Sequence, residues 1–241
     1  MKTMFLDMEW GQIYGSYKRD FIPTEIGAIV YNSENDVPIL ESKKLSYDID
    51  IVIRKNIINQ VGKTVGVSET VANTGRGEYQ KRFDSSYILT ENDLVAARKI
   101  SHLSLHELGK YLHTLFNKHQ VDRIILFGGH GDINIMRKAR VNLSKLKIID
   151  LQQIVKKETR HRFSLDKLSL IIGFYANRNL FGSKNFRYPL PKRYKYLIKP
   201  HKAIGDACRI FIVYKEFYGV KHEFVQQCRN YIHANNVVDE S

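Results

Sequence analysis

The stretch Met4–Trp10, MFLDMEW, decides how this chain is read. It is an apolar run at the start of the sequence, interrupted by Asp7 and Glu9. Such a run reads as a buried strand, the first of the fold, and a buried carboxylate is costly unless something pairs with it. Side chains alternate faces along a strand, so the two carboxylates emerge from one side, about 6.6 Å apart. Two close negative charges repel each other in a low-dielectric setting. A divalent cation resolves that repulsion, and hard oxygen ligands suit Mg²⁺ or Mn²⁺. A DxE triplet is common and equally fits two side chains turned to solvent, so the metal reading needs partners elsewhere in the chain.

Working outward, TEIGAIVY (residues 24–31) reads as a second strand, and VPILESKKLSYDI (37–49) as a third after the turn-prone NSEND (32–36). Residues 54–90 show no clear period and read as an irregular connector. Helical signals then follow. Thr90 with Asp93 reads as an N-terminal cap. Ser104 with Glu107 reads as a capping box before Leu105, Leu108, Leu112, Leu115 and Phe116. DRIILFGG (122–129) reads as a buried strand, 132–140 as a short helix and LKIIDL (146–151) as a short strand. LQQIVKKE (151–158) is helical, and Ser164 caps LDKLSLII, which Gly173 closes. Residues 174–200 read as loop. Ala203, Ile204, Ala207, Cys208, Phe211 and Ile212 mark a helix ending at Gly219, and 222–234 a last amphipathic helix. Strands mix with helices throughout, so the expected fold is α/β, with a mixed five-stranded sheet flanked by helices. Without an internal repeat or an obvious linker, residues 1–241 are expected to form one domain, with a helical extension after about 219.

Composition bounds the function. With 43% hydrophobic residues in 241, the chain has material for a packed core. The net charge is +13, from 38 Lys plus Arg against 25 Asp plus Glu. That excess suits an anionic partner, nucleic acid first and a membrane surface second. No basic amphipathic helix or lipidation motif supports the membrane alternative. The two cysteines, Cys208 and Cys228, form no CxxC pattern and read as buried thiols in a reducing compartment. No signal peptide and no run near the ~20 apolar residues of a membrane span is legible, so a cytoplasmic location is expected.

Two further stretches carry chemistry. In LFGGHGDINIM (126–136) a buried strand ends in Gly128 and Gly129, and Asp132 follows at the start of a helix. Carboxylates at such positions face ligands, although Asp132 alone would also serve as a cap. In HKAIGDA (201–207), His201 precedes Asp206 by five residues at a helix entry. Histidine is the side chain best suited to proton transfer near neutral pH. A helix-entry His and a solvated Asp is the plainer reading of that pair. His102, His106 and His113 lack a convergent third ligand and read as surface or core residues.

Together these motifs resemble the DEDDh branch of the DEDD exonuclease superfamily, whose relatives include polymerase proofreading subunits and ribonuclease T. The resemblance rests on Asp7-Met8-Glu9, then Asp132, then His201-Lys202-Ala203-Ile204-Gly205-Asp206, in the family's order and spacing. EIGAIVY (25–31) is similar to the family's second strand, and TENDLVAARK (90–99) to its helix entry. GGHGD departs from the common HNxxFD and is nearer the WGxxD variant of histone-mRNA and small-RNA exonucleases. Residues 54–90 do not match the family's connector.

The resemblance implies an RNase H-like fold and 3′-5′ hydrolysis of phosphodiester bonds in single-stranded DNA or RNA, releasing nucleoside monophosphates. It implies that Asp7, Glu9, Asp132 and Asp206 hold two Mg²⁺ or Mn²⁺ ions, with His201 as general base. A polymerase as partner, or a non-catalytic nucleic-acid-binding protein on the same fold, are the alternatives. KNFRYPLPKRYKYLIK (184–199) runs directly into His201 and contains no acidic residue. Its Lys184, Arg187, Lys192, Arg193 and Lys195 are expected to track phosphates, and Tyr194 to stack on a base. A solvated loop with its aromatics tucked beneath the domain is the other reading of that segment.

Overall fold

A computed structural model of the protein describes residues 2–12, 21–45 and 91–235. Three strands come first: β1 (Lys2–Gln12), β2 (Phe21–Asn32) and β3 (Val37–Lys44). A long helix α1 (Glu91–His119), β4 (Arg123–Leu126), α2 (His130–Lys138) and β5 (Lys147–Asp150) follow. Then come α3 (Leu151–Thr159), α4 (Leu165–Ile171) and three short strands, β6 (Tyr175–Ala176), β7 (Leu180–Gly182) and β8 (Arg187–Pro189). A 3₁₀ turn (Lys192–Tyr194) leads to α5 (Ala203–Gly219) and α6 (Lys221–Ala234). The main sheet has the order β3-β2-β1-β4-β5, antiparallel on the β1, β2, β3 side and parallel from β1 through β4 to β5. The mixed α/β architecture with five strands is as the sequence led one to expect.

β1 shows why the two carboxylates share a face. Met4, Leu6 and Met8 pack into a core with Leu108, Leu112 and Leu115 of α1 and Ile135 and Met136 of α2. Phe5 points the other way, into a second core with Phe211 of α5, their rings edge-on at 5.1 Å. Asp7 and Glu9 share Phe5's parity, so they lie on the face that α5 covers. Each buried Leu, Met or Phe contributes on the order of 1.5–3 kcal/mol of transfer free energy.

The pairing of β1 with β2 shifts register between Glu9 and Trp10: Glu9 opposes Glu25, whereas Trp10 opposes Pro23. Thr24 is the extra residue of this bulge, and its hydroxyl donates to the Glu9 carbonyl at 3.1 Å. Pro23 is tolerated inside a strand because a bulge relaxes the ladder there.

Several expectations need correction or qualification. Ser104 does not begin a helix: α1 runs unbroken from Glu91 to His119, and Ser104 is buried at mid-helix with its hydroxyl donating to the Ser101 carbonyl. The reason is that Ile100, Leu108 and Leu112 form one continuous buried stripe, so Ser104 falls on the core side. The cap expected at Thr90, the connector 54–90 and the end of the third strand beyond Leu45 lie outside the described residues.

Nor are residues 174–200 loop throughout: within them lie the short strands of the sheet β6-β7-β8 and the 3₁₀ turn. Adjacent residues of α5 hold this segment. Buried Glu216 accepts from the Ser183 hydroxyl and from Asn185 Nδ2. Lys215 Nζ donates to Tyr31 Oη and to Asp36 and lies over the Tyr31, Phe186 and Tyr188 rings. The two ends of α4 are as expected, since Ser164 accepts from Lys167 N and Gly173 closes the helix at φ +64°. Among the described residues no helix is long and apolar enough to cross a membrane.

Candidate active site

The site lies on the face of β1 that the first turn of α5 covers, at mid-strand, with β4 ending beside it. One close approach brings it together. Gly27 opposes Asp7 across the β1–β2 ladder, and a Cβ there would sit 2.1 Å from Ile204 N and 2.2 Å from Ala203 C. Lacking that carbon, β2 lets α5 rest directly on its backbone, and Asp206, two residues beyond Ile204, comes down over β1. Gly205 likewise admits the Lys199 carbonyl, where a Cβ would approach to 2.1 Å.

Asp7, Glu9 and Asp206 each offer a carboxylate oxygen, and these oxygens all lie within 4.8 Å of one another. Asp132, in the first turn of α2, stands outside that tight group. Its charge nevertheless bears on both Asp7 and Glu9. Trp10 bonds its side chain and packs against Gly131, where a Cβ would meet the indole at 2.9 Å. His201 adjoins the group: its backbone N–H donates to Asp206 Oδ2 at 3.2 Å. His201 takes a left-handed conformation, φ +59°, uncommon for a residue with a side chain.

So many acids in so little water titrate above their ordinary range. Burial pushes the Asp7 carboxyl well above its ordinary range, and the charges of Asp206, Asp132 and Glu9 push it further. Burial, then Asp206 and Glu25, raise Glu9 to about 7. Burial raises Asp132 to about 7 against the Trp10 hydrogen bond. Asp206 is raised by burial, although Arg209 and His201 oppose the shift.

A stability consequence follows. Each folded carboxyl here titrates above its unfolded counterpart near 4, so between pH 4 and 7 the folded protein binds the more protons. Stability then falls as pH rises through that window. In EDTA the melting temperature should decline from pH 5.5 to pH 8. Asp7→Asn, which removes an acid held well above its ordinary range, should raise it at pH 8 and flatten the decline. A melting temperature that climbs over this range in the unaltered protein would contradict the assignment of these shifts.

Several residues that build the site were not singled out from sequence. Glu25 is buried directly opposite Glu9, and Lys202 Nζ approaches its carboxylate at 3.7 Å. Asp150 accepts from the backbone N–H of Gly128 at 3.0 Å and of Gln152 at 2.9 Å, tying the end of β5 to the turn that presents Asp132. Arg209, one helical turn past Asp206, donates to Asp206 Oδ1 at 2.7 Å. A glycine inside an apolar strand, such as Gly27, is the one legible signal among these, since it often marks close backbone approach.

The basic segment divides. Lys184, Arg187, Lys192 and Arg193 are exposed and Lys195 half-buried. Tyr194 is a correction: it is buried, its hydroxyl donates to the Leu40 carbonyl at 2.8 Å, and its ring is not free to stack on a base. Leu190, Tyr194 and Ile198 are all buried, so the four-residue apolar spacing was the signal for an inward face. Tyr196, 72% exposed with Lys195 Nζ 4.9 Å from its ring, is the free aromatic of the strip. His102, His106 and His113 are exposed along α1, as surface residues. No family model and no curated protein matches the chain.

Proposed function

We propose that this protein is a metal-dependent 3′-5′ exonuclease of RNase H-like fold that trims single-stranded nucleic acid and releases nucleoside monophosphates. The observation that carries the reading is the meeting, within 4.8 Å, of carboxylates from residues 7, 9 and 206, drawn from opposite ends of the chain. The donor set fits a hard divalent cation: carboxylate oxygens only, partly desolvated, and mutually repelling until compensated. Asp7, Glu9, Asp206 and Asp132 would hold two Mg²⁺ or Mn²⁺ ions. Bound there, the ions would supply an acidified water and charge neutralisation at the scissile phosphate.

The remaining work falls to the chain's own groups. His201 accepts the proton of the attacking water on an imidazole nitrogen. Its backbone N–H keeps Asp206 in place meanwhile. The exposed Lys184, Arg187, Lys192 and Arg193, with Tyr196, offer phosphate and base contacts on the segment that leads into residue 201.

The test incubates the protein with 5′-labelled DNA and RNA oligonucleotides in Mg²⁺, Mn²⁺ or EDTA. A ladder shortening from the 3′ end is expected with either cation and none in EDTA. Oligonucleotides left intact under every condition would overturn the reading. The DNA and RNA arms together determine the preferred sugar.

A further inference from the structure

We propose that Arg209 is a positioning residue: it fixes the Asp206 carboxylate in the orientation that meets Asp7 and Glu9, and thereby sets the affinity of the site for a divalent cation. The inference rests on the nuclease reading. Arg209 is only 4% exposed, and its guanidinium is engaged on three sides. Nη1 donates to Asp206 Oδ1 at 2.7 Å, Nε to Ser169 Oγ at 2.9 Å, and Nη2 to Asp166 Oδ1. Asp166 and Ser169 belong to α4, so the guanidinium is anchored from outside the helix that carries Asp206. The other oxygen of Asp206 accepts from His201 N at 3.2 Å. The carboxylate is therefore gripped at both oxygens and cannot rotate freely.

A ligand side chain held in its binding orientation beforehand loses little freedom when the cation arrives. Partners behind metal ligands typically govern affinity by about 10–100-fold. The planar fork of arginine serves Asp206, Ser169 and Asp166 at once, which the single ammonium of lysine does not reproduce. A residue that merely joined α4 to α5 would need only its bonds to Asp166 and Ser169.

The experiment titrates Mn²⁺ into the full chain and into Arg209→Lys and Asp166→Asn. Binding is followed by calorimetry and by the emission of Trp10, the only tryptophan, which bonds Asp132. Urea unfolding of each variant confirms a cooperative fold. Arg209→Lys should bind Mn²⁺ at least about tenfold more weakly. Asp166→Asn leaves Asp206 and Arg209 in place, but takes the charge from an anchor whose side chain is 43% exposed and weakens its hold, and should lose affinity in the same direction by a smaller factor. If Arg209→Lys does not fold, Asp166→Asn decides alone. Folded variants that bind Mn²⁺ as tightly as the unaltered protein, or more tightly, overturn the inference and leave Arg209 a tie between helices. An unaltered protein that takes up no Mn²⁺ instead overturns the nuclease reading, and this inference with it.

Discussion

Asp206→Ala is expected to abolish trimming of 3′ ends, lowering the rate by at least about a thousandfold, some 4 kcal/mol in barrier height. The expectation follows from the count of oxygens. Asp206 provides one of the three carboxylates that converge within 4.8 Å, and it alone comes from the far end of the chain. Removing it leaves Asp7 and Glu9 on one strand with Asp132 outside their tight group, too few converging hard donors to hold a cation against water. It also strands the buried Arg209 with only Asp166 for charge, so the shape-conserving Asp206→Asn should accompany it.

His201→Ala should behave differently. The group that contacts Asp206 is the backbone N–H of residue 201, which alanine retains. Mn²⁺ affinity should therefore survive while the rate falls about 10²–10⁴-fold, the usual contribution of a general base. Because residue 201 is left-handed, His201→Asn is the better-tolerated companion, asparagine being enriched in that region. Unaltered turnover in Asp206→Ala, or lost Mn²⁺ binding in both folded His201 variants, would contradict these roles.

The parts of the site that are legible in the sequence are those fixed by local rules. Period-two alternation alone places Asp7 and Glu9 on one face, and the helix pattern from Ala203 puts Asp206 at a helix start. Cores on both sides of β1 bear out that alternation, with Met4, Leu6 and Met8 on one side and Phe5 on the other. What stays illegible depends on which elements the fold presses together. Glu25 opposes Glu9 only because of the β1–β2 register and its bulge. Arg209 meets Asp166 across a helix–helix packing that no spacing within α5 announces. Tyr194 misleads for a related reason: a basic neighbourhood suggests an outward aromatic, while its inward partner, the Leu40 carbonyl, lies 154 residues away. Ser104 shows the converse error, where a local cap pattern loses to a tertiary stripe that keeps α1 continuous.

Gly27→Ala should be the most damaging substitution that adds a single methyl group. The new carbon would sit 2.1 Å from Ile204 N, 2.2 Å from Ala203 C and 2.4 Å from Ala203 O. All three are backbone atoms in the first turn of a helix that is buried along most of its length, so no side chain can swing aside. Either α5 retreats from β2 or β2 bends, and overpacking of this kind costs about 3 kcal/mol or more. Retreat also carries Asp206 away from Asp7, because Asp206 follows Ile204 by two residues on the same rigid turn. The variant should therefore lose Mn²⁺ affinity beyond what its lowered stability explains, at temperatures where it remains folded. Gly173→Ala is the control. Its φ of +64° makes alanine cost about 1–2 kcal/mol, yet nothing lies within 4 Å of the added carbon and the site is untouched. Urea unfolding and Mn²⁺ titration of the two variants separate a backbone penalty from displacement of a helix. A Gly27→Ala protein as stable as Gly173→Ala, with its cation affinity intact, would mean that α5 does not depend on this contact to deliver Asp206.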